Sequence, residues 1–170
     1  HEGGHTDITR IGSGKFFEKK SWTAILNVIE DPRVNERVAE RMTGRRDDFY
    51  TMLRDFYFES YEKLKTEEVP DLLPHEAFMQ GIMARQYGGK SPWDDDELIG
   101  PALDEVWPYF QRAIAERPVE DNPSEREVLR RFDRFEEILN QDILPIYERL
   151  YDESVKQANE IIKKRLELLD

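Results

Sequence analysis

The stretch Asp47–Lys65 limits the fold most, because it is the densest apolar run in the chain and its spacing is helical. Phe49, Leu53, Phe56, Tyr57 and Leu64 recur on one side, with Tyr50 and Tyr61 at one margin and Met52 at the other. At about 100° per residue they cover roughly half a helix circumference. A stripe that broad predicts a helix seated between two or more neighbours. Each buried ring contributes roughly 1.5–3 kcal/mol, so this helix is expected to dominate the core. Asp47 or Asp48 is the expected cap, and both suit the positive end of the helix dipole. Phe58 points to the opposite face.

The rest of the chain reads the same way. Ser21 opens a helix with Trp22, Ile25, Leu26 and Ile29 on one face, and Asp31-Pro32 reads as a restart carrying Val34, Val38 and Met42 to a stop at Gly44. After a connector at 67–74, a helix from Pro74 carries Phe78, Ile82 and Met83 to Gly88-Gly89. Beyond the loop at 90–97, a helix runs to about Glu116, with a break expected near Gly100-Pro101 and a kink or second break near Pro108. Ser124 and Glu127 fit a capping box for the helix of Val128, Leu129, Phe132, Phe135, Ile138 and Leu139. Asp142 and Pro145 predict a kink before a last apolar stripe, Ile146 to Leu169. No period-two run and no hairpin turn signal appears. The expected architecture is all-α: a single helical bundle over 21–170, of about five to seven helices with some kinked at proline, preceded by a flexible polar arm at 1–20.

Charge narrows the function. The chain of 170 residues carries 37 acids against 25 bases, a net −12. That field repels a nucleic-acid backbone and favours a basic partner or a cation. The absence of cysteine removes disulfides, thiol catalysis, zinc–thiolate sites and iron–sulfur clusters. No run approaches the roughly 20 apolar residues of a membrane-spanning helix. A cytoplasmic location is the expectation, with a periplasmic or other extracytoplasmic one if a leader has been removed.

Three constellations carry candidate chemistry. His1-Glu2-Gly3-Gly4-His5 matches the letters of HExxH, but two glycines inside the motif oppose the helix that zinc-protease chemistry needs. His1, Glu2 and His5 remain candidate ligands for a divalent transition metal, with a disordered arm as the plain alternative. His75, beside Glu76, is a candidate base or ligand, with a partly exposed polar residue as the plain alternative; no serine or threonine can be tied to it as an activated nucleophile. Asp94-Asp95-Asp96-Glu97 lacks the alternating ligand spacing of a calcium loop. Residues 94–121 hold nine acids against Arg112 and Arg117, a local −7. Trp93 and Trp107 flank this acidic segment. Trp93, Asp94, Asp95, Asp96, Glu97, Asp104, Glu105 and Trp107 therefore form a candidate surface for a segment that is both basic and apolar.

Residues 94–151 also resemble the C-terminal half of the TorD/DmsD/NarJ redox-enzyme maturation chaperones. The likeness lies in Asp95-Asp96-Glu97-Leu98, in the run from Asn122 to Glu127, and in Phe135-Glu136-Glu137-Ile138-Leu139-Asn140-Gln141-Asp142-Ile143-Leu144-Pro145. It implies an all-helical cytoplasmic protein that binds twin-arginine leader peptides; the family's Asp-His pair falls at Asp96-Glu97. The expected function is a non-catalytic assembly or accessory protein that binds another polypeptide. The alternative is a sensor or metal-binding domain using His1 and His5. The C-terminal helix is a candidate oligomer contact.

Overall fold

The computed structural model describes residues 7–10, 20–59 and 72–168, with 20, 21, 58 and 59 described by their backbone alone. The fold is all-α, without a strand among the described residues. Helix α1 spans Lys20–Arg41, α2 Arg46–Arg54, α3 Pro74–Gly88, α4 Ile99–Ala115, α5 Glu125–Ile138 and α6 Leu144–Glu167. A π-helical turn, Asp55–Glu59, extends α2, and another, Leu139–Ile143, joins α5 to α6 without a gap. From residue 20 onward, the described helices thus form five rods.

Its centre is α4, not the aromatic helix. Ile99, Leu103, Val106, Phe110 and Ala113 recur at alternating steps of four and three and, with Ile114, are all buried. They meet α1, α3, α5 and α6 in one core with Ile25, Ile29, Phe78, Ile82, Phe132, Phe135 and Tyr147. Gly81 lets α3 and α4 approach closely, since a Cβ there would lie 2.9 Å from Leu103 Cδ1 and 3.0 Å from Ser91 Oγ.

The aromatic helix is a satellite. It does touch two neighbours, α1 and α3, but among its described apolar side chains only Leu53 is buried. Leu53 packs with Met83 and Tyr87, and Phe49, Tyr50 and Tyr57 are half-buried around them. Met52 is 56% and Phe56 66% exposed. The physical reason is placement: α2 lies outside α1 and α3, so it buries one narrow face whatever its composition. Its helix begins at Arg46 with no side-chain cap, and Asp47 and Asp48 fall in the first turn rather than at the cap. Tyr61 and Leu64 lie outside the described residues, as does the side chain of Phe58.

Proline breaks fewer helices than its chemistry predicts. Helix α1 continues through Asp31-Pro32, and α4 through Pro108. An interior proline costs about 3 kcal/mol. Burying Val106, Phe110 and Ile114 on the same helix recovers more than that at roughly 1.5–3 kcal/mol each. Pro108 faces solvent, so the Asp104 carbonyl left without its amide partner is at the wet side of the helix. Pro101 falls in the first turn of α4, where it is tolerated. The irregularity expected near Pro145 is the π turn, closed by Leu144 N–H donating to Leu139 O.

The stripe on α1 also departs from the apolar pattern. It runs Ile25, Ile29, Arg33, Arg37, with both arginines buried, while Met42 is exposed. Arg33 lies over the rings of Phe132 and Phe135, 5.5 and 4.9 Å from their centroids. It donates to both Glu30 carboxylate oxygens at 2.9 and 3.0 Å and to Glu116 O at 2.7 Å. Arg37 donates to Pro118 O at 3.0 Å and to Glu120 O at 2.5 Å, and Arg41 to Asp121 O at 2.5 Å. Three arginines spaced by four thus satisfy the carbonyls of the α4–α5 loop. They also hold part of the expected arm: Ile8 is fully buried, its carbonyl accepts from Arg33 at 3.3 Å, and Asp7 pairs with Arg41 at 2.9 Å.

Candidate docking cleft beside the acidic loop

The acidic loop is built by its own first residues. Asp94 accepts from Ser91 N at 2.8 Å and from Arg85 Nη2 at 2.6 Å, and Trp93 N donates to Ser91 Oγ at 3.1 Å. Asp96 accepts from Leu98 N and Ile99 N, both at 2.9 Å, and so terminates the loop by satisfying the free amides that open α4. The loop folds back so closely that a Cβ at Gly100 would stand 2.3 Å from Asp94 O. Glycine is required there by contact, not by backbone angle.

This turn places Trp93 half-buried at the mouth of a cleft of about 330 Å³. Leu72, Pro74 and Ala77 wall it from the start of α3, Leu98 and Ile99 from the start of α4, and Gln157 from α6. Asp96 also lines it, and more of the exposed lining is polar than apolar. Asp95 and Glu97 are exposed beside it and make no ion pair among the described residues.

The eight residues expected to form one surface divide into three groups. Trp93 and Asp96 line the cleft, and Asp95 and Glu97 neighbour them in the loop. Asp94, Asp104 and Trp107 are gathered instead around Arg85, which pairs with both aspartates at 2.6 and 3.0 Å and lies 5.5 Å over the Trp107 ring. Trp107 also packs against Phe110 at 5.2 Å. Glu105 pairs with Arg149 of α6. Arg85, the hub of this arrangement, lies in a stretch without acids from Ala77 to Trp93 and carried no signal in the sequence.

A second groove, of about 240 Å³ and mainly apolar, lies on α2 between Asn35, Phe49, Met52, Leu53, Phe56 and Tyr57. Asn35 donates to Tyr87 OH at 2.8 Å at its base, and Tyr57 stacks on Tyr87 at 5.1 Å.

His75 has a serine partner, but not one activated as a nucleophile. Ser154 Oγ lies 2.8 Å from His75 Nδ1 and 3.1 Å from His75 N. The same hydroxyl donates to Leu150 O at 2.9 Å, so it accepts from both histidine nitrogens and Nδ1 carries the proton. An activated nucleophile needs the opposite polarity, and Ser154 is buried. Tyr147 and Tyr151 meet the imidazole edge-on at 6.0 and 5.0 Å. Desolvation holds the His75 pKa below its usual value, with Glu76 opposing. This cluster clamps the start of α3 to α6.

His1, Glu2 and His5 lie outside the described residues. Among the described residues no group of three His, Cys, Asp or Glu side chains could hold a metal ion. No described helix is long and apolar enough to cross a membrane. No family model, curated protein or solved structure matches the chain.

Proposed function

We propose that the chain is a non-catalytic binding protein whose Trp93 cleft docks a basic and apolar segment of another polypeptide. The observation that carries this reading is the division of the acidic loop. Asp94 and Asp96 are consumed in building it, whereas Asp95 and Glu97 stand exposed beside a cleft of mixed lining. An aliphatic anchor on the ligand fits between Trp93, Leu72 and Leu98, and its lysines or arginines meet Asp95 and Glu97. The partner class is that of peptide recognition by an acidic, aromatic-walled groove. The resemblance of residues 94–151 to the TorD/DmsD/NarJ chaperones makes a twin-arginine leader the first ligand to try.

Isothermal titration with an amphipathic peptide rich in arginine and leucine tests this. Binding is expected to weaken about tenfold or more in Trp93→Ala and in Asp95→Lys/Glu97→Lys, and to weaken with added salt. Equal affinity of both variants and the parent would overturn it.

A further inference from the structure

Residues 7–10 lie against the second half of α1 and the start of α5, at the opposite end of α4 from the Trp93 cleft. All four are tied down. Asp7 pairs with Arg41 at 2.9 Å and with Arg37 at 3.5 Å, and among the described residues no other carboxylate pairs with either arginine. Ile8 is fully buried but belongs to neither the central core nor the α2 cluster. Thr9 Oγ1 donates to Glu30, and Arg10 donates to both carboxylate oxygens of Glu125 at 2.8 and 3.0 Å. Two features set this segment apart from the helices. The arginines beneath it keep partners without it: Arg33 has Glu30 and Glu116 O, Arg37 has Pro118 O and Glu120 O, and Arg41 has Asp121 O. Its end pairs are wet, so they contribute little, and the cost of ordering four residues opposes the burial of one isoleucine. A balance that close lets the segment open while the helices stay folded.

We propose that Asp7–Arg10 is a detachable strap that occupies, in cis, a docking socket for a polypeptide segment of the same chemistry. The strap defines that chemistry by filling the socket. An acid meets Arg37 and Arg41, a branched aliphatic side chain enters the Ile8 pocket, and a base two positions further on meets Glu125. Closed, the strap excludes an external segment. Open, it leaves Arg37 and Arg41 to take another carboxylate beside a vacant apolar pocket. The socket shares no residue with the Trp93 cleft, so either reading stands or fails without the other.

The absence of cysteine supplies the test, because Ile8→Cys gives the full chain a single thiol. Its reaction with a thiol reagent is expected to be slower than in the unfolded chain. Below the unfolding midpoint read by circular dichroism, the rate should be nearly independent of urea. Arg10→Glu in the same background should speed labelling about tenfold, and adding Glu125→Arg should restore the slow rate. A capped Asp-Ile-Thr-Arg peptide must be supplied at millimolar concentration to compete with a tethered strap. It should speed labelling about threefold by holding the socket, whereas the same peptide with lysine in place of aspartate should not. Labelling as fast as in the unfolded chain, or with the urea dependence of global unfolding, would overturn the strap. Labelling that neither peptide changes, or that both change equally, would overturn the socket.

Discussion

At the scale of single residues, the buried groups that matter most are charged. Glu30 and Arg33 are both almost fully buried, and Glu30 is the carboxylate that neutralises an arginine stacked on two phenylalanines. Glu30→Gln leaves that guanidinium uncompensated, and we expect a loss of about 3 kcal/mol, read from the urea midpoint at unchanged slope. His75 gives a pH signature. Its folded pKa is depressed, so above about 6.5 both folded and unfolded imidazoles are neutral and pH has no effect through it. Below that, the unfolded chain takes up a proton that the folded one resists, and stability falls as pH drops. The fall between pH 7 and 5.5 should flatten in His75→Asn. Glu127 acts in a lower window. Arg130 and Arg131 hold its carboxylate at about 2, so its stabilisation is present above the ordinary carboxylate range and goes as pH falls toward that value. Glu30–Arg33 and Glu127 with Arg130 and Arg131 stand at helical spacings of three and four that a sequence shows, but the His75 pairing and the burial of Arg33 are not visible there. His75 and Ser154 are 79 positions apart, and a buried arginine looks like a surface one until the loop carbonyls it serves are known.

At the scale of elements, amphipathic periodicity was a good guide where a helix buries one face. Val128, Phe132, Phe135, Ile138 and Leu139 are buried as the spacing requires, while Leu129, counted with them, is exposed; Ser124 Oγ accepts from Glu127 N at 3.2 Å. Gly88-Gly89 does end α3, with Gly89 at φ 75°. Local chemistry misled where tertiary burial outweighed it. Pro32 and Pro108 read as interruptions because their cost is local, while the burial that offsets it comes from other helices. The aromatic run between Asp47 and Lys65 read as the core because apolar density has no direction. The α4 stripe, diluted by Asp104, Glu105 and two prolines, is the true centre. Replacing Pro108 with alanine should stabilise the protein by about 1–2 kcal/mol, since the regained hydrogen bond exceeds the added freedom of the unfolded chain. Gly100→Ala should do the opposite by about 2 kcal/mol, because the Asp94 carbonyl must move. Chemical denaturation of both variants measures the two signs side by side.

At the scale of the whole molecule, a net −12 surface is spent unevenly. Arg85, Arg117, Arg131 and Arg149 neutralise acids across the bundle, and the remaining bare carboxylates include Asp95 and Glu97 beside the cleft. The acidic segment was legible in the sequence as a region, but which of its members face a ligand depends on Arg85 and on the tight turn at Gly100. The three tryptophans report on three different places: Trp22 donates its indole N–H to Glu148, Trp107 lies under Arg85, and Trp93 borders the cleft. Nitrogen–proton correlation spectra during titration with a basic and apolar peptide therefore test docking directly. The Trp93 indole and the amides from Asp95 to Ile99 should shift together and saturate, with the Trp22 and Trp107 indoles unmoved. Saturable binding that leaves Trp93 and those amides in place would contradict the assignment of the cleft.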